Sequence, residues 1–170
     1  MPTITIRPAT PGDTGLILEL VRELAEYERE PEAAVATPEQ MRRALFGDAA
    51  RDGKGAGIAE CLIGEADGVA AGFALFFHNF STWTGRPGIY LEDLFVRPHA
   101  RGVGLGKALL RHLARIAVDR GCGRFQWSVL DWNTPAIDFY KSLGAEAMDE
   151  WTVYRVHEGA LASLAAGAAG

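Results

Sequence analysis

The chain has 170 residues, 48% of them apolar, enough for one ordinary core without disulfides or a structural metal. With 17 basic and 22 acidic residues the formal charge is −5, which argues against a broad nucleic-acid surface and suits cationic ligands. Cys61 and Cys122 form no CxxC pair and read as reduced filler; the N-terminal "MPTITIRPAT" has no apolar signal core, and no stretch approaches the ~18 apolar residues of a membrane span, so a cytoplasmic protein is expected.

"TITIRPA" alternates like a short strand, and "PGD" opens a helix with Leu16, Ile17, Leu20, Val21 and Leu24 at helical spacing. A second helix begins at "TPEQMRRALF", with Thr37 as N-cap and Pro38 at the first helical position, and "RDGKGAG" reads as a flexible turn. "IAECLIGE" and "VAAGFALFFH" form two strands around Asp67-Gly68, a strong hairpin signal. The loop "NFSTWTGRPG" leads to the strand "IYLEDLFV", then to a glycine turn and a helix that reaches about Arg120, where Gly121 ends it. After the strand "RFQWSVL", the segment "NTPAIDFYKSLGA" reads as a short helix with Thr134 as N-cap, Pro135 at the first position and Gly144 past the end. "WTVYRV" closes the set as a last strand, and residues 159–170, "GALASLAAGAAG", form a biased tail after a single domain over 1–158. The pattern predicts an α/β fold, a mixed and mostly antiparallel central sheet flanked by helices.

The turn "RPHARGVGLGKALL" aims the free N–H groups of a helix start at one point, where anions bind. A P-loop is excluded because Ala108 follows Gly106-Lys107 where Ser or Thr is required. A Rossmann fingerprint is excluded because counting from Gly102 or Gly104 puts Lys107 or Leu109 at the third glycine. What fits is Arg-x-x-Gly-x-Gly, made by Arg101, Gly104 and Gly106. On this hexapeptide alone a corner that merely eases the chain from strand to helix stays open.

In "IYLEDLFV" the strand alternation puts Glu92 with Tyr90 and Leu94, and Asp93 on the other face with Leu91 and Phe95. A buried carboxylate without partners costs several kcal/mol, so each must be paired, hydrated or near a strand end. Tyr140 shares a helix side with Ile137 and Gly144; spacing alone leaves open a core tyrosine bonded to some carbonyl or a functional hydroxyl. Lys107, Arg111 and Arg115 recur every four residues opposite Leu105, Leu109 and Leu113, as a solvated face would.

Four patches, "IRPAT" with "ELAEYE", "YLEDLFV", "RGVGLG" and "WNTPAIDFYKSLGA", occur in this order across nearly the whole chain. Together they resemble the GNAT-type N-acetyltransferase superfamily, in its diamine (spermidine/spermine) N-acetyltransferase-like branch. The resemblance implies the GNAT fold, acetyl-CoA as cosubstrate with no metal, a small amine as partner and a homodimer. It places coenzyme A along Leu94, Phe95 and Val96, and its pyrophosphate on the turn formed by Arg101, Gly102, Val103, Gly104, Leu105, Gly106 and Lys107. The pantetheine arm then falls to Asn133, Ala136 and Phe139. An alkyl ammonium with a pKa of ~10 is only about a thousandth neutral at pH 7, and only the neutral amine attacks a thioester. The resemblance makes Glu92 the base, directly or through water, and Tyr140 the acid that protonates the departing thiolate. Tyr27, Glu28, Trp83, Glu92 and Asp93 become the substrate contacts. Ser81 stands two residues before Trp83, where the polyamine enzymes carry an acid, which favours a shorter diamine, a lysine-like amino acid or an aminated metabolite. A coenzyme-A-binding module without turnover and a protein acetyltransferase are the competing expectations.

Overall fold

In a computed structural model that describes residues 1–47 and 57–167, five strands form one sheet in the order β1-β2-β3-β4-β5. They are β1 (Ile4–Pro8), β2 (Glu60–Ala66), β3 (Val69–Ser81), β4 (Arg86–Val96) and β5 (Arg124–Trp127). The first four pair antiparallel and β5 runs parallel to β4, giving the expected mixed sheet. The described helices are α1 (Thr14–Tyr27), α2 (Pro38–Phe46), α3 (Leu105–Asp119), α4 (Thr134–Ser142) and α5 (Glu158–Ala165). The chain divides into two compact units, 1–128 and 129–170, the first of which holds the whole sheet.

Local chemistry explains most boundaries. Arg7 on β1 bonds Asp13 through both terminal nitrogens at 2.8 and 2.9 Å and Glu65 on β2 at 2.8 Å, tying the start of α1 to the sheet. This pairing, with the Thr10 hydrogen bonds, holds the Asp13 carboxyl far below the usual carboxylate range. Thr37 and Gln40 close a capping box at the start of α2, with Pro38 as its first residue. Asp67 and Gly68 both take positive φ, 51° and 76°, as a tight primed turn between β2 and β3 requires. Past α3, Gly121 adopts φ 67° while Cys122 N–H returns to the Ala117 carbonyl at 2.8 Å, a glycine-terminated helix end.

Four expectations change. The segment read as the loop "NFSTWTGRPG" is largely strand, because β3 continues to Ser81 and β4 starts at Arg86, so only 82–85 turn. Asn133, not Thr134, caps α4: its side-chain oxygen accepts from Ala136 N–H at 3.4 Å, in keeping with asparagine's stronger capping preference. "WTVYRV" forms no strand; Trp151, Val153 and Tyr154 are exposed, and an alternating run without a ladder partner among the described residues has nothing to hold it extended. The segment read as a tail from 159 onward is largely helical in its described part, where α5 runs from Glu158, the last residue of the expected domain, to Ala165. Residues 51–56 of the stretch read as a flexible turn lie outside the described residues.

The first unit is layered. Residues paired across antiparallel strands share a face. Ile63, Phe73 and Phe95 are successive partners and pack with Ile17, Leu20 and Leu24 of α1 and Leu45 of α2. On the opposite face Gly64 lies under α3, where a Cβ would stand 2.9 Å from Leu105 and 3.3 Å from Leu109. Leu105, Leu109 and Leu113 are fully buried there, while Lys107, Arg111 and Arg115 are exposed, as their spacing requires.

Candidate active site

The site is built around a fault in β4. Leu75 of β3 pairs with Asp93, but the next residue, Phe76, pairs with Leu91, so Glu92 is an extra residue in the ladder, a β-bulge. The bulge resets the alternation. Asp93 and Phe95 face α1, Leu91 goes to the α3 face with Leu94, and Tyr90, opposite Phe77, returns to the side of Asp93. The face assignment that simple alternation gives to Leu91 and Tyr90 is therefore wrong, and the two carboxylates separate differently: Glu92 is exposed and Asp93 is half-buried.

Burial, with the nearby charges of Glu92 and then Glu28, pushes the Asp93 carboxyl up to about 6. Glu28, the C-terminal cap of α1, is raised as well, by burial. Beneath them the Cys61 thiol is pushed up to about 12, chiefly by burial, which leaves it inert as a nucleophile.

At the same place β4 loses its other neighbour. Its ladder with β5 runs from Gly88↔Arg124 to Leu91↔Trp127 and stops, so from Glu92 to Val96 one edge of β4 has no strand partner among the described residues. That edge leads past Arg97 into the glycine turn. Gly102 and Gly104 take φ of 78° and 94°, a left-handed conformation that glycine adopts without strain. Gly104 is the N-cap of α3, and no side chain caps the helix, so its first N–H groups have no intrahelical acceptor. A Cβ at Gly102 would meet nothing within 4 Å, so the outer side of the turn is open. A strand edge without a strand partner, its Val96 carbonyl taken by Arg101 Nε at 2.8 Å, thus continues into a helix start whose N–H groups no side chain caps, which suits an extended amide-bearing chain ending in a pyrophosphate.

Not every predicted site residue gathers here. Tyr27 and Glu28 close α1 beside Asp93, and the Arg101 guanidinium lies 4.8 Å from the centre of the Tyr27 ring. Trp83 is 89% exposed at the tip of the β3–β4 hairpin. At about 3.3 Å per residue it stands roughly 30 Å along the strand from Asp93, so one chain does not bring the two together. In the second unit, Asn133 is buried as the cap of α4, while Ala136, Phe139 and Tyr140 are half-buried on that helix, the two rings 5.5 Å apart. Lys107 is exposed in the first turn of α3. Among the described residues no cluster of three or more His, Cys, Asp or Glu is placed to hold a metal ion.

Sequence reasoning missed the two arginines that lead into the glycine turn as structural partners of α1. Arg97 bonds Glu23 at 2.6, 3.0 and 3.1 Å and also pairs with Glu19, while Arg101 covers Tyr27. The signal was present: Glu19, Glu23 and Tyr27 recur every four residues on one helix face.

Residues 17–145 match the Acetyltransferase (GNAT) family. The chain belongs to that family. It is an acetyltransferase, and the family uses acetyl-CoA as cosubstrate. The chain is 39% identical over 176 residues to a thialysine N-epsilon-acetyltransferase of Sus scrofa, a match covering 97% of this chain and 99% of that protein. It is 31% identical to spermidine/spermine N(1)-acetyltransferase-like protein 1 of Homo sapiens, over 94% of this chain and 23% of that one, which supports the diamine-acetyltransferase-like branch. Among solved structures, an integron cassette protein from the mobile metagenome of V. cholerae superposes with a TM-score of 0.76 at 27% identity, covering 95% of this chain and 97% of the other.

Proposed function

We propose that this acetyltransferase acts on the terminal amine of a lysine-like amino acid or short diamine, within one catalytic domain spanning residues 1–158. The observation that carries this reading is the pair of partly buried carboxyls, Asp93 and Glu28, set where β4 loses its β5 partner and runs into the uncapped turn. A carboxyl held near 6 is ionised at pH 7.5 yet poorly solvated, so it gains most from a cationic ligand. Thialysine, the substrate named for the porcine relative, is such a cation with one primary amine at its chain end. Ser81 supplies no second anion for a long polyamine.

Each residue then has a task. Leu94, Phe95 and Val96 offer the open edge of β4 to the pantetheine amides, while the N–H groups from Gly102 to Lys107 receive the pyrophosphate, with Val103 and Leu105 anchoring the turn. Acetyl-CoA supplies the acyl group as a thioester. Glu92, exposed at the bulge, takes a proton from the substrate ammonium directly or through water, and Asp93 with Tyr27 and Glu28 holds the cation. In the second unit Asn133, Ala136 and Phe139 line the arm of the cosubstrate, and the Tyr140 hydroxyl protonates the leaving thiolate. The working form is a homodimer in the cytoplasm, in which Trp83 contributes an aromatic face to the substrate held by the other copy; light scattering tests the dimer.

The deciding experiment follows free thiol while the protein and acetyl-CoA meet a panel of lysine analogues, diamines, polyamines, aminoglycosides and lysine-containing peptides. Lysine analogues and short diamines are expected to give the highest kcat/KM. A preference for spermine or for peptides, or coenzyme A binding without turnover of any amine, overturns the reading.

A further inference from the structure

The chain entering the turn that begins α3 is fastened to α1 by two arginines four residues apart, Arg97 and Arg101. Arg97 leaves β4 and meets Glu19 and Glu23; four residues on, Arg101 places its guanidinium carbon 4.8 Å from the Tyr27 ring centre and 5.7 Å from that of Phe95. The Arg101 Nε donates to the Val96 carbonyl at 2.8 Å. Phe95 belongs to the α1 face of the sheet, whereas α3 packs on the opposite face. The backbone of Arg101 therefore enters the turn while its side chain passes back around the end of β4 to the α1 side. Its charge is already engaged by two rings and a carbonyl.

We propose that Arg101 is a positioning residue that straps the Tyr27–Glu28 end of α1 to the glycine turn, so that seating the cosubstrate in the turn sets the amine-binding end of α1. This rests on the proposed acetyl-CoA and amine sites and adds a connection between them. The chemistry is the stacking of a planar cation on two aromatic faces plus one hydrogen bond to a fixed carbonyl, a combination a lysine ammonium does not reproduce. Arg97 gives the same turn a second attachment one and two helical turns earlier on α1, through Glu23 and Glu19, so helix and turn shift as one piece.

The experiment compares Arg101→Ala, Arg101→Lys, Tyr27→Ala, Tyr27→Phe and the Arg101→Ala/Tyr27→Ala double variant. Coenzyme A affinity is measured by calorimetry without amine, and steady-state kinetics with the best amine at saturating acetyl-CoA. Stacking of this kind corresponds to about two- to thirtyfold in an equilibrium or rate ratio. The expected result is a loss of that size in kcat/KM for the amine with Arg101→Ala, Arg101→Lys and Tyr27→Ala. The double variant is no worse than the poorer single, Tyr27→Phe loses less than Tyr27→Ala because it keeps the stacked ring, and coenzyme A affinity changes by less than about threefold. A tenfold or greater loss of coenzyme A affinity in Arg101→Ala with unchanged amine kinetics overturns the proposal and makes Arg101 a phosphate ligand; additive losses in the double variant also overturn it. Should Arg101→Ala fail to fold, Arg101→Lys and the Tyr27 pair carry the same comparison. Hydrogen exchange separates this proposal from the functional reading: coenzyme A should slow exchange at residues 24–28 in the wild type and not in Arg101→Lys, whichever amine is turned over. Equal slowing in both proteins counts as refutation.

Discussion

Replacing Asp93 by Asn should stabilise the protein, and by an amount that depends on pH. In the folded chain burial and the charges of Glu92 and Glu28 raise the carboxyl from its ordinary value to about 6. The folded state then holds this proton more tightly than the unfolded state does. Stability contributed by Asp93 is therefore full below pH ~4 and is lost as pH rises through 6. A shift of about two units amounts to roughly 3 kcal/mol of destabilisation at pH 8, falling to about half of that at pH 5. Asn removes the charge but keeps a polar group to satisfy, so a gain of about 2 kcal/mol at pH 8 is expected, or roughly 4–8 °C in melting temperature for a chain of this size. Urea unfolding of both proteins at pH 5 and pH 8 measures it, since the titrations of carboxylates that do not interact with Asp93 cancel in the difference. The same variant should lose most of its kcat/KM for the amine, because the group whose ionisation weakens the fold is the one that receives the cation. A variant no more stable than wild type at pH 8, or a gain equal at both pH values, refutes the reasoning.

Two further outcomes follow. Tyr140→Phe should lower turnover by about ten- to a thousandfold, the range of lost acid catalysis, while leaving coenzyme A affinity nearly unchanged; stopped-flow thiol release and calorimetry measure the two, and unchanged turnover removes Tyr140 from its role. Gly72 pairs with Val96, and a Cβ there would stand 2.7 Å from the Phe95 carbonyl oxygen and 3.2 Å from a Val96 methyl. Gly72→Ala should force β3 and β4 apart just before the glycine turn and cost about 1–3 kcal/mol in denaturant unfolding, and an unchanged midpoint would show that the strands accommodate the methyl without strain.

Elements whose information is local were legible in the sequence. The Thr37 cap, the Asp67-Gly68 hairpin, the leucine stripe of α3 and the Gly121 stop are each decided by a few neighbouring residues, and each stands where its chemistry places it. Apart from the cap of α4, which falls one residue earlier than read, what failed depends on a partner distant in sequence. The stretch 79–88 carries Asn, Ser, Thr, Gly and Pro and reads as loop, yet β3 and β4 pair through it because each supplies the other's ladder. "WTVYRV" has the composition of a strand and lacks the ladder. Propensity describes what a segment tolerates; pairing determines what it becomes.

The bulge shows the same limit at the site. Alternation assigns Glu92 and Asp93 to opposite faces correctly enough, but it cannot say where the count restarts, and a single extra residue exchanges the faces of everything beyond it. Two adjacent carboxylates in an otherwise apolar strand were the available clue, since a regular ladder buried on both faces would have to bury one of them on each. The bulge resolves that conflict by exposing Glu92 and leaving Asp93 half-covered beside Glu28. One acid is thus kept in water, and the other is kept poorly solvated, where a cation is most welcome. Deleting Glu92 would restore a regular ladder in which Leu91 stays opposite Phe76 and Tyr90 stays opposite Phe77, so the packing of both faces would persist while the exposed carboxyl, and with it the division of labour between the two acids, is lost.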